Sequence, residues 1–151
     1  VIINVFILQY SMKPFEFVEH TADAEFYAYG STLEEAFAHA AYAVASIMVD
    51  YKNVKSQITK KVKFRGKDKE ALLYNFIEEI IFMLDAEDFV LHKIQYLEIT
   101  KDADGFSLEA ELHGDLVTNY QAEKAIKAAT YNSMEIKQEN GKWIVHMVVD
   151  I

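Results

Sequence analysis

Five consecutive residues, Glu19-His20-Thr21-Ala22-Asp23, gather two carboxylates, an imidazole and a hydroxyl between two strand-like runs, 15–18 and 24–29. At the far end, the apolar run 143–149 stops at Asp150-Ile151. If the two ends meet, Asp23, Asp150 and the α-carboxylate of Ile151 supply three sets of oxygens. Hard divalent cations such as calcium, magnesium or manganese take several oxygen ligands of this kind. A bound cation would offset the cost of holding those negative charges together. The spacing is equally compatible with Asp23 capping a turn and a C-terminus lying in water. His20 beside Asp23 is either a general base or a hydrogen-bond partner that orients a ligating carboxylate. No strand-turn-helix elbow with a nucleophile accompanies it, so a small metal-dependent hydrolase has only the clustered acids and His20 in its favour.

Composition narrows the classes further. The chain has 151 residues, 52% of them apolar and 13% aromatic, which suits one domain with a substantial core. Twenty-four acids face 15 Lys and Arg, a formal charge of -9. Strong direct binding to nucleic acid is therefore not expected, because that affinity comes from clustered cations that release counterions. With no cysteine, disulfides, thiolate catalysis and thiolate zinc sites are excluded, and a reducing compartment such as the cytoplasm is compatible. The apolar residues 1–11 are shorter than a membrane span, which takes about 20 residues, and lack a basic leader. They read as an N-terminal extension, either non-native or an added edge strand, ahead of a domain over 12–151.

These groups must be positioned by the elements between them. Ser31-Thr32-Leu33-Glu34-Glu35 carries a capping-box pattern, and Leu33, Phe37, Ala40, Ala41, Val44, Ile47 and Met48 form one helical stripe. Glu34, Glu35 and His39 fall outside the stripe, with His39 at the surface. Residues 60–66 alternate as a half-exposed edge strand whose lysines protect the edge. A second helix starts near Asp68 with an apolar stripe of Leu72, Leu73, Phe76, Ile77, Ile80, Ile81 and Leu84, leaving Glu70, Glu78 and Glu79 on a solvated face. Residues 89–100 and 106–114 flank Asp102-Ala103-Asp104-Gly105 as a long hairpin; the missing loop ligands argue against a calcium loop there. Residues 118–125 have weak helical character, and 126–137 return to extended structure. Asn140-Gly141 then predicts a tight hairpin into the last strand, whose two apolar faces mark it as central. Two main helices covering largely antiparallel β-sheets make a single-domain α+β fold.

Five stretches in this order resemble the archease family: Phe17-Val18-Glu19-His20-Thr21-Ala22-Asp23, residues 28–37 from Ala28-Tyr29-Gly30, Ala71-Leu72-Leu73-Tyr74-Asn75-Phe76, Ile126-Lys127-Ala128-Ala129-Thr130-Tyr131, and Val148-Val149-Asp150-Ile151. The resemblance implies a non-catalytic, metal-binding accessory protein. Its partner would be an RtcB-type RNA ligase in tRNA splicing, whose guanylylation and multiple turnover it promotes. It implies Asp23, Asp150 and Ile151 as the metal site and Lys127 as the ligase-activating residue, with His20, Thr21 and Glu19 in support. Asn132 departs from the histidine of many relatives. The resemblance also suggests an alternative, a chaperone or specificity factor for a tRNA methyltransferase.

Overall fold

The computed structural model describes residues 13–151; the extension read over residues 1–11 lies outside them. Seven strands and two main helices follow in chain order among the described residues: β1 (Phe15–Phe17), β2 (Ala24–Gly30), α1 (Leu33–Met48), β3 (Ile58–Gly66), α2 (Lys69–Glu87), β4 (Phe89–Asp102), β5 (Gly105–Leu116), β6 (Ala128–Glu139) and β7 (Lys142–Asp150). Every strand pair is antiparallel. One sheet has the order β1-β2-β7-β6 and the other β3-β5-β4. The expected α+β architecture is thus present, with β7 a central strand.

Both helices begin in the same way, and each follows a strand directly. Thr32 accepts a hydrogen bond from the Glu35 N–H at 3.1 Å, and Asp68 accepts one from the Ala71 N–H at 2.7 Å. Each cap satisfies one of the first-turn amides that have no intrahelical partner. Two residues before each cap stands a glycine. A Cβ on Gly30 would collide with the Ala36 backbone, and one on Gly66 with the Leu72 backbone. These close approaches fold each helix tightly back over the strand that precedes it.

The helices differ in what they bury. α1 packs on β2 and β7 of the first sheet and on β4 of the second. Alanines 36, 40, 41, 43 and 45 are fully buried on it, and their small side chains let both sheets come close. α2 packs on β6 and also on β3, β4 and β5, burying Leu72, Leu73, Phe76 and Ile77 completely. The core therefore lies where the two sheets and two helices meet. No helix among the described residues is long and apolar enough to cross a membrane.

Three local expectations are corrected. Residues 118–125 do not form a helix: a 3-10 turn at Val117–Asn119 gives way to an irregular segment over 121–127. The segment is held by tertiary bonds instead. The Glu123 and Lys124 amides donate to the carbonyls of Met48 and Ile47 at the end of α1, and Ile126 enters the core. His39 is half-buried rather than at the surface, its Nδ1 2.5 Å from the Tyr29 carbonyl oxygen. Glu78, expected on a solvated face, accepts a hydrogen bond from the Ala129 N–H at 2.6 Å.

Gly66→Ala should destabilise the fold by about 1–3 kcal/mol, because the added methyl meets helix backbone rather than a side chain that can swing away. Gly141→Ala, whose new methyl meets nothing, is expected to cost less despite its φ of 78°. Urea denaturation midpoints of the two variants check the ranking.

Candidate metal centre

The antiparallel ladder brings the loop before β2 and the C-terminal residues together. β2 pairs with β7 so that Ala24 lies opposite Val149 and Glu25 opposite Val148. Extending that register by one residue sets Asp23 across from Asp150. On the other side of β7, Ala128 pairs with Asp150 and Ala129 with Val149. The Lys127 N–H donates to the Asp150 main-chain oxygen at 2.8 Å, which seats Lys127 beside Ile151. Asp23, Lys127, Asp150 and Ile151 therefore occupy one end of the four-stranded sheet.

The loop before β2 is shaped by its own side chains. The Thr21 hydroxyl donates to the Asp23 main-chain oxygen at 2.7 Å, closing a tight turn. His20 adopts a left-handed backbone, φ 65°, and its side chain is 92% exposed, 3.8 Å from the Glu19 carboxylate. A cavity of about 330 Å³ opens between this loop and the end of α1. His20, Thr21, Asp23 and Ile151 line it, with Ser46 and Ile47 of α1 on another side.

Not all the expected residues converge. Asp150 does not line this cavity, since it alternates with Val149, which is fully buried on the helix-facing side. Glu19 and Lys127 are exposed and lie outside the lining as well. Among the described residues, no three His, Asp or Glu side chains form a group that could hold a metal ion. A cation held here would need main-chain oxygen from Ile151 beside the carboxylates of Asp23 and Asp150. In donor chemistry that set fits a hard cation: it is all oxygen and carries net negative charge.

Sequence reasoning missed three neighbours. Glu25, Glu123 and Lys124 also line the cavity. Glu25 Oε2 lies 2.6 Å from His146 Nε2, across the ladder, and the His146 ring stacks on Tyr27 at 4.4 Å. Polar residues at alternate positions of β2 and β7 could have pointed to Glu25. Glu123 and Lys124 had no such signal, because the segment carrying them follows tertiary bonds rather than a period.

That segment is tethered by a buried carboxylate. Asp115, 6% exposed, accepts from the Tyr120 hydroxyl at 2.7 Å, the Leu116 N–H at 2.8 Å and the Asn119 amide at 3.3 Å. The Tyr120 hydroxyl in turn accepts from the Lys55 N–H. The Tyr120 bond above all, then the Leu116 amide, hold the Asp115 carboxyl below the usual carboxylate range. At the far end of the segment Glu78 binds the Ala129 amide, which fixes where β6 begins and so where Lys127 stands.

Comparison with known proteins is consistent over residues 15–151. Residues 15–151 match the model of the Archease protein family (MTH1598/TM1083). An archease of Methanosarcina mazei is 34% identical over 141 residues, covering 92% of this chain and 97% of its own. One from Pyrobaculum neutrophilum is 38% identical over 143 residues, covering 91% and 95%. The solution structure of Methanobacterium thermoautotrophicum protein 1598 superposes with a TM-score of 0.79 at 32% identity, covering 93% of this chain and all of that one. A crystal structure from Thermotoga maritima, described as an archease and possible chaperone, shares the fold at a TM-score of 0.57 and 15% identity, covering 90% and 96%.

Two outcomes test the positioning. Asp115→Asn should lower stability at neutral pH. Because the folded carboxyl is the stronger acid, its contribution is present above the unfolded value, about 3.9, and disappears as pH falls through the lower folded one. The gap between parent and variant in urea should therefore close in strong acid. Glu78→Ala leaves the Ala129 amide without its partner and should cost about 1–3 kcal/mol, with faster hydrogen exchange at that amide.

Proposed function

The chain belongs to the archease family, and from that membership we propose that it is a non-catalytic accessory protein that activates an RtcB-type RNA ligase. Asp23, Asp150 and the main-chain oxygens of Ile151 would hold a divalent cation, calcium, magnesium or manganese. When bound, the ion supplies positive charge that can neutralise phosphate at the ligase's nucleotide-binding centre. The observation that carries this reading is the β2-β7-β6 register, which seats Asp23, Asp150, Ile151 and Lys127 at one end of one sheet.

The chain's own residues have distinct parts. Asp23 and Asp150 bind; the Thr21 hydroxyl holds the Asp23 main chain in its turn. Lys127, exposed at the start of β6, is free to present its ammonium group to a phosphate or an acidic group of the partner. His20, exposed on the cavity rim, can orient a carboxylate or a water without being needed for chemistry. Placed charge, not a covalent step, is the contribution. The net charge of -9 suits this role, since a protein that acts on an RNA enzyme does not itself have to grip RNA.

A second reading, a chaperone for an RNA-modifying enzyme such as a tRNA methyltransferase, draws on the description of the Thermotoga maritima relative as a possible chaperone. Ligation of an RNA bearing a 2′,3′-cyclic phosphate, with the cognate ligase substoichiometric, separates the two. Multiple turnover should require this protein. Asp23→Ala and Asp150→Ala should each lower the stimulated rate by about 100-fold or more, the scale of losing a charge placed at a reacting centre. Equal stimulation by parent and variants would exclude the cation site. Tighter or more specific methyltransferase action without any effect on ligation would favour the chaperone.

A further inference from the structure

β6 departs from its partner strand at one place. Thr130 pairs with Val148 and Glu135 with His146, so four residues of β6, 131–134, stand against the single residue Met147 of β7. Ser133 within this bulge has a positive φ of 58°. Such a conformation is costly for a residue with a side chain. Among the described residues β6 is also an edge strand, so the bulge projects from the sheet rather than between strands.

What the bulge presents is aromatic. The Tyr131 ring stacks on Tyr74 of α2, with centroids 4.4 Å apart and planes 7° from parallel. One face of Tyr131 is thereby used, and yet the residue is 54% exposed, which leaves the other face open. Two acids flank the stack. Glu70 stands four residues before Tyr74 on the same face of α2, whereas Glu78, four residues after it, already binds the Ala129 amide. Asp68 is close enough for its charge to help raise the Tyr131 hydroxyl above its ordinary pKa, after burial and Tyr74. Lys69 of the same turn is engaged elsewhere, its amine over the Phe106 ring at 5.6 Å.

We propose that the Tyr74–Tyr131 stack and its acidic surround form a docking point for an arginine side chain presented by a basic protein partner. A guanidinium lying flat on the open ring face gains a cation–π contact, and nearby carboxylates neutralise its charge. Charge complementarity selects the occupant. A nucleobase could use the same ring, but its phosphates would meet Asp68 and Glu70 on a chain of net charge -9. The bulge turns an edge strand, otherwise a site for indiscriminate strand pairing, into a specific one. This surface does not depend on any cation at Asp23 and Asp150.

Two-dimensional NMR of the full chain, titrated with a capped Gly-Arg-Gly-Arg-Gly peptide, its lysine counterpart and a ten-nucleotide oligouridine, tests it. The arginine peptide should shift the ring resonances of Tyr74 and Tyr131 and the amides of 132 and 133. The lysine peptide should bind about 2–5-fold more weakly. Tyr131→Ala should abolish the effect, Tyr131→Phe retain it, and Asp68→Asn, which keeps the oxygen that caps α2, weaken it at low salt. Preferential shifts with oligouridine, shifts that avoid the stack, or no response to the arginine peptide would each overturn the proposal.

Discussion

The ladder in which β7 runs antiparallel between β2 and β6 is the constraint on which the rest of the molecule rests. Backbone pairing fixes register to a single residue, because a slip of one would turn every side chain to the opposite face. Val145, Met147 and Val149 are completely buried, so a slip would place them in water and carry polar neighbours into the core. That penalty locks Asp150 between Asp23 and Ala128. The proximity of the Asp23 loop to the C-terminal residues is thus a by-product of burying three apolar side chains.

The helices serve this ladder from one side. α1, rich in alanine, sits against both sheets, and its carbonyls at Ile47 and Met48 anchor the irregular segment that returns the chain to β6. α2 reaches the same strand through Glu78, whose carboxylate takes the Ala129 amide at an edge that no further strand covers among the described residues. An edge amide left without a partner at a buried position is costly. The side chain that satisfies it also sets the start of β6. Stability and site geometry share these bonds, so changes far from Asp23 are able to move Lys127.

The candidate centre is an open arrangement. Asp23 and Ile151 face a cavity, while Asp150 sits on the alternate face of its strand. The aromatic stack on the neighbouring bulge offers a second, different kind of contact, flat and polarizable rather than charged.

Much of this was legible in the chain itself. The caps at Thr32 and Asp68, the Asn140-Gly141 turn, the alternation of β5 and the two-sided apolarity of β7 are local signals, written within a few residues and enforced by backbone geometry. The motif 19–23 and the terminal Asp150-Ile151 likewise announce oxygen chemistry wherever they lie. Tertiary structure alone decided that residues 121–127 forgo a helix, that Glu78 turns inward and that His39 is half-buried. Each depends on which distant backbone group stands unpaired nearby. A single sequence encodes its own hydrogen-bonding needs, but only the folded chain determines which partner meets them.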